Sequence, residues 1–321
     1  MTVIQRLARG IFGFRRPTGE ETPSLVSHSE TLDRLLRHRG AGRSPRQLFA
    51  QVSDDFWLWC FTDGYRSEER LRSILPAFPP PEVQVGFTGA SGDDTMREAF
   101  GFYRLVRSLA SQHLSRPLHS VLEFGCGWGR MLRLFIKDID PQELWGIDCM
   151  PVAIDLCQKT STYSRFQLVD PFPPTKVPGD KFDLVYAYSV FSHLSEAAHL
   201  QWLEEFRRIL KPGGLLIATT RQREFILACA KARAEGEDRE WAQHLVVSFR
   251  DTQDALARYD RGEFLHDAIG GGGVLDGSFF GETCIPRQYV EANWPRYLEY
   301  VGYLDDRRLC QQNVIVARKT R

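Results

Sequence analysis

The chain has 321 residues, 43% hydrophobic and 26% charged, with 41 basic side chains balanced by 41 acidic ones. Such a chain can bury one large core or two modest ones, and its zero net charge carries no global mark of a nucleic-acid binder. Its seven cysteines are odd in number and without close pairs, which argues against a disulfide framework or zinc site and fits a reducing, cytoplasmic compartment; no apolar run reaches membrane-span length.

Residues 1–90 read as a helical N-terminal extension. Up to residue 46 the chain holds nine arginines against four acids. Met1 to Arg16 is basic and partly amphipathic, suited either to packing on the protein or to a transient membrane contact. Gln47 to Leu75 has a dense apolar face (Leu48, Phe49, Val52, Phe56, Trp57, Trp59, Phe61) that predicts one helix, and Pro79-Pro80-Pro81 stops it. Met96 to Gln112 repeats apolar residues at helical spacing.

Residues 91–221 form the predicted core, where strands and helices alternate. Val121–Phe124, Leu144–Asp148, Phe166–Val169, Phe182–Tyr188 and Leu215–Thr220 read as strands. Helices are expected from Met131, over Pro151–Lys159 and over Glu196–Leu210, with a turn at Lys211-Pro212-Gly213-Gly214. Short crossovers of this kind imply a parallel sheet covered by helices on both faces. Residues 222–295 show a helix at Glu224–Ala234, the run Gly270–Gly273 and no obvious strands, and read as a cap. Residues 296–321 offer two closing strands, Tyr297–Tyr303 and Asn313–Ala317.

The chemistry concentrates in Glu123-Phe124-Gly125-Cys126-Gly127-Trp128-Gly129. Alternating glycines let a ligand approach the backbone and permit positive φ angles at a strand-to-helix turn. Glu123 stands where the cationic end of a ligand could be held. Asp148, at the tip of the second strand, is placed to accept both hydroxyls of a ribose, and Asp170, after the third, to meet the exocyclic amine of an adenine.

In this order and spacing, Glu123 to Gly129, Asp148, Asp170, Phe182–Ser192 and Leu210–Gly214 resemble a class I S-adenosylmethionine-dependent methyltransferase. The resemblance spans about residues 90 to 220. It implies an α/β, Rossmann-like, seven-stranded, mostly parallel sheet whose last strand is antiparallel, with the cap inserted before the last two strands. It also implies a cofactor site drawn from Glu123, Gly125, Cys126, Gly127, Gly129, Asp148, Cys149, Asp170, Tyr188 and Ser189. A looser similarity of Phe87–Gly92 and Gly277–Thr283 to methyltransferases associated with glycan-modifying enzymes implies a small-molecule or saccharide acceptor.

Methylation of a hydroxyl needs a base. His193, just past the fourth strand, is the first candidate; Tyr188, His266 and Glu282 follow. His266 with Asp267 lacks a third ligand, so no metal site is expected. Two other classes compete: a nicotinamide-dependent oxidoreductase, which would need Gly-x-Gly-x-x-Gly where residue 130 is Arg, and a non-catalytic binding protein of the same fold. Nucleic acid is disfavoured as a partner by the balanced charge, although RNA or protein methylation stays open.

Overall fold

The computed structural model describes residues 25–37, 44–238 and 242–320. The amphipathic stretch Met1–Arg16 lies outside them.

The N-terminal part is helical: α1 (Leu25–Arg37), α2 (Pro45–Phe49), α3 (Asp54–Cys60), α4 (Asp63–Ser67), α5 (Glu69–Arg72), α6 (Pro81–Thr88) and the long α7 (Asp93–His113). The single helix expected over 47–75 is therefore four short ones. Ser53, in an extended conformation, accepts the N–H of Phe56 and caps α3, so the chain restarts where a continuous helix would run on. The turn at Gly64 is equally tight: a Cβ there would lie 2.7 Å from the Trp59 ring. Phe56, Trp57, Trp59, Cys60 and Phe61 are all buried. That apolar surface is too broad for one stripe of a straight helix.

The core strands are β1 (Val121–Phe124), β2 (Leu144–Asp148), β3 (Arg165–Leu168), β4 (Phe182–Ala187) and β5 (Leu210–Thr220), joined through a 3₁₀ helix (Leu132–Lys137), α8 (Pro151–Thr160) and α9 (Glu196–Ile209). The segment after the glycine turn is thus 3₁₀ rather than α-helical. All six of its side chains are buried, including Arg133 and Lys137, whereas an amphipathic α-helix needs a polar face.

After β5 come α10 (Arg223–Ala234), α11 (Gln243–Val247), α12 (Thr252–Asp260), β6 (Leu265–Asp267), β7 (Glu282–Cys284), α13 (Arg287–Asn293), β8 (Glu299–Leu304) and β9 (Asn313–Arg318). The main sheet has the order β3-β2-β1-β4-β5-β9-β8. β1 to β5 run parallel, and β9 lies antiparallel to both β5 and β8. The β6–β7 pair inside the 222–295 segment has no counterpart in the sequence reading. Its strands are three residues each, too short for alternation to be read.

Side-chain alternation sorts the core into two layers. Val121, Leu184, Tyr186, Leu215, Ile217, Val314 and Val316 face α7, the 3₁₀ helix and the N-terminal helices. Leu122, Phe124, Val185, Ala187, Leu216, Ala218 and Ile315 face α9 and α13. The amino ends of the strands are tied by Asp183, which is fully buried. It accepts from Ser120 N (3.0 Å), Ser120 Oγ (2.8 Å), Arg116 Nε (2.7 Å) and Lys211 Nζ (3.0 Å). Burial pushes its pKa up, but those donors outweigh it and hold it at about 2. From β1 the chain winds outward to β3 and then returns to β4, so the direction reverses between β1 and β4. Ligands of open α/β sheets bind at the carboxyl ends beside such a reversal.

Candidate functional site

The turn after β1 sits at that reversal. Gly125, Gly127 and Gly129 have φ of +71°, +50° and +72°, a region closed to most side chains. Gly125 N and Cys126 N both donate to Ile147 O, at 2.8 and 3.1 Å, hooking the turn onto β2. From behind, the buried Arg133 donates to Gly129 O (3.1 Å), Trp128 O (3.2 Å) and Ala77 O (3.3 Å). Its guanidinium lies over Trp128 and Phe78, 4.5 and 4.6 Å from their ring centres. Burial lowers its pKa to about 10, so it stays charged at neutral pH. These bonds fix the carbonyls of the curve inward.

Asp148 closes the curve. Its Oδ2 accepts Gly127 N–H and its Oδ1 accepts Met150 N–H, each at 2.9 Å. Burial raises its pKa and these N–H groups pull it back. Each carboxylate oxygen retains acceptor capacity, so the pair fits the two hydroxyls of a ribose. Val169 N donates to Asp148 O at 3.0 Å, which brings the end of β3 alongside; Cys149 is half-buried there and Asp170 is exposed just beyond. On the outer side, a Cβ at Gly125 would lie 2.4 Å from Val190 Cγ2, and one at Gly127 3.3 Å from Phe87 Cδ1. Val190 and Phe87 therefore pack directly against the bare glycines of the turn.

Glu123 does not present a charge to a ligand. Its Oε2 accepts the N–H of Leu132 at 3.0 Å, and burial pushes its pKa up to about 8, so it is largely neutral at pH 7. It organises the turn from beneath. Tyr188 also turns away from its expected place: its hydroxyl donates to Glu98, and Arg130 lies 5.5 Å from its ring centre. Arg130 donates to Glu98 Oε2 (2.7 Å) and Thr95 O (3.0 Å), clamping the glycine turn to the start of α7.

Ser189 takes φ +58°, which for a non-glycine residue is held only by its surroundings. Its N–H donates to Thr219 Oγ1 (2.7 Å), Thr219 Oγ1 donates to Gln312 Oε1 (2.7 Å), and Gln312 Nε2 donates to Ser189 Oγ (2.9 Å). This ring joins the ends of β4, β5 and β9.

Beyond it, His193, Glu282 and His266 meet, although the chain separates them widely. The cause is the β6–β7 pair, in register His266↔Thr283 and Asp267↔Glu282, and the bridge Leu194↔Phe280 that docks it on the post-β4 segment. His193 Nδ1 lies 2.9 Å from Gly281 O. A carbonyl only accepts, so Nδ1 carries the proton and Nε2 is the free base. Glu282 Oε1 stands 3.5 Å from Nδ1, and Arg221 Nε holds Glu282 Oε2 at 3.2 Å. The ring stacks on Phe280 at 4.9 Å and 9°. Burial lowers the His193 pKa below its usual 6.5, with Glu282 opposing. Thr283 Oγ1 donates to Leu194 O and lies 2.8 Å from His266 Nδ1, so His266 likewise presents a bare Nε2, buried and without a partner among the described residues.

Sequence reasoning missed Glu98, Thr219 and Arg221. None carries a local signal, because each reaches the site through a tertiary contact. Arg130 and Arg133 could have been suspected from their place directly after the glycines.

Residues 122–216 match a family model described as a methyltransferase domain. An uncharacterised methyltransferase of Geobacillus kaustophilus (strain HTA426) is 27% identical over 171 residues, covering 51% of this chain and 76% of the relative. Among solved structures, a protein of Pyrococcus horikoshii OT3 aligns with 68% of this chain and 90% of its own at 15% identity and a TM-score of 0.45. An S-adenosylmethionine-dependent methyltransferase of Methanosarcina mazei aligns with 66% and 97% at 18% identity and a TM-score of 0.42. Among the described residues, no helix is long and apolar enough to cross a membrane.

Proposed function

Residues 122–216 make this chain a class I S-adenosylmethionine-dependent methyltransferase, and from that premise we propose that it methylates an oxygen of a small molecule or saccharide, with His193 as the base. The carrying observation is the tautomer that Gly281 O imposes on His193: Nδ1 carries the proton, Nε2 is the basic nitrogen on the segment after β4, and burial favours the neutral imidazole.

When bound, the cofactor supplies an electrophilic methyl group on a sulfonium. The protein's task is alignment, since in-line transfer needs the acceptor oxygen about 3 Å from the methyl carbon. In this reading Asp148 holds the ribose hydroxyls. Gly125, Cys126, Gly127 and Gly129 line the amino-acid end, and Cys149 and Asp170 border the adenine. Ser189, rigid in its hydrogen-bonded ring, shapes the floor between cofactor and acceptor. His193 Nε2 takes the proton of the acceptor hydroxyl, and Glu282, anchored by Arg221, stabilises the imidazolium that forms. His266, with its Nε2 buried, supports the β6–β7 pair from behind through Thr283. Tyr188 has no proton-transfer role here, because its hydroxyl is engaged by Glu98. The segment 222–295 serves as the acceptor cap.

The test is release of S-adenosylhomocysteine by the full chain, with tritiated-methyl cofactor, across hydroxylated small molecules and saccharides, with RNA and protein in parallel. Label on a hydroxyl compound supports the proposal; label confined to RNA, protein or nitrogen acceptors overturns it.

A further inference from the structure

A cavity of about 740 Å³ opens at the other end of the sheet. Its walls come from α2, the carboxyl half of α7, the link before β1 and the end of the 3₁₀ helix. It thus lies at the amino ends of β1 and β2, whereas the glycine turn follows the carboxyl end of β1. Arg46, Arg104, Arg107, Arg116 and Lys137 line it, against two acids, Asp54 and Asp138.

The acids are shared unequally. Asp54 alone serves Arg107 (3.1 Å), Arg104 (3.3 Å) and Lys137 (3.7 Å). Asp138 takes the Tyr103 hydroxyl and stands 3.8 Å from Arg107. Arg46 and Arg116 pair outside the walls, with Asp140 and Asp183. Lys137 is the unusual member. Its side chain is only 3% exposed, and Asp54 Oδ1 is too distant for a direct hydrogen bond. An ammonium has three donors, so an anion entering the cavity gains hydrogen bonds from it. Ser108 and Ser111 add hydroxyl donors to the walls, and no aromatic side chain is among the lining residues. The wall therefore offers charge and hydrogen bonds but no stacking platform for a base.

We propose that this cavity binds a small phosphorylated molecule through its phosphate groups, with Lys137 and Arg107 as the inner ligands and Arg104 at the mouth. Its volume is that of a small-molecule site, and guanidinium forks match phosphate oxygens. A concave wall without stacking surfaces favours a compact anion over a nucleic-acid strand. Because the cavity shares no residue with the glycine turn or Asp148, occupancy here does not displace the methyl donor.

The experiment is calorimetry of the full chain with inorganic pyrophosphate at low and moderate salt, using S-adenosylhomocysteine as the control. Saturable, salt-weakened binding is expected, reduced at least tenfold in Lys137→Met and several-fold in Arg104→Gln, with affinity for S-adenosylhomocysteine unchanged. The Arg104 side chain is 62% exposed, so that variant decides the matter even if Lys137→Met misfolds. Absence of saturable heat, or affinity indifferent to Arg104→Gln, overturns the proposal. So does single-stranded RNA that binds more tightly than pyrophosphate and gains affinity with length.

Discussion

The roles proposed for Asp148 and His193 differ in kind, so their variants separate them. Asp148 holds the turn through two backbone N–H groups and leaves lone pairs for a ribose. Asp148→Ala should weaken S-adenosylhomocysteine binding by about 30-fold, roughly 2 kcal/mol for charged hydrogen bonds. Calorimetry reads this directly, and unchanged affinity would remove Asp148 from the site. His193→Gln should leave that affinity intact while lowering kcat about 10²- to 10³-fold with a hydroxyl acceptor. Because burial lowers the His193 pKa, its neutral form persists below pH 6.5. The acid limb of the wild-type profile should accordingly lie below that value and vanish in the variant. Full activity in His193→Gln would exclude it as the base. Glu123 teaches the reverse lesson: an acid before the glycines looks like a ligand group, yet burial makes it a neutral brace.

Elements followed local signals where those signals were strong. The short apolar runs of β1, β2 and β4 and the amphipathic spacing of α9 were legible because central parallel strands are buried on both faces and a covering helix on one. The four helices between Pro45 and Arg72 were not, since their breaks depend on caps and on Trp59 packing against Gly64. Ser53 shows how local the effect is. Ser53→Ala removes the acceptor for Phe56 N–H and should cost about 1 kcal/mol, read as a lower urea midpoint with unchanged m-value. No change in midpoint would mean that aromatic packing alone starts α3. The β6–β7 pair escaped notice for a different reason. Three-residue strands carry almost no periodicity, and their register is set by docking on Leu194 and Arg221.

At the scale of the whole molecule, acid sensitivity follows from groups buried without compensation. His199 is fully buried among Phe191, Phe264 and Trp294, and neither ring nitrogen has a hydrogen-bond partner among the described residues. Burial lowers its pKa to about 3. As pH falls below about 6.5 the unfolded chain takes up the proton and the folded one does not. Stability from this group is therefore complete above 6.5 and drains toward pH 3, by up to about 1.4 kcal/mol per unit. Glu123 acts with the opposite sign, because its folded pKa is raised. The difference between wild type and His199→Leu isolates the histidine: urea unfolding at pH 7 and 5 should show a smaller loss in the variant. Equal losses would mean that His199 gains a proton partner in the folded state.

The sheet, the glycine turn and the carboxylate after β2 were determined by the chain itself, because alternation, turn chemistry and crossover length act over a few residues. The donor fold could thus be expected, and the methyltransferase domain match over residues 122–216 agrees with it. Only the tertiary structure decided which side chains share a pocket. His193 and Gly281 lie 88 positions apart and meet through a strand pair too short to announce itself. Tyr188, a few residues before His193, is drawn toward α7 by Glu98 instead. Local pattern specifies a backbone; which polar groups face one another depends on register and burial, which exist only once the layers have packed.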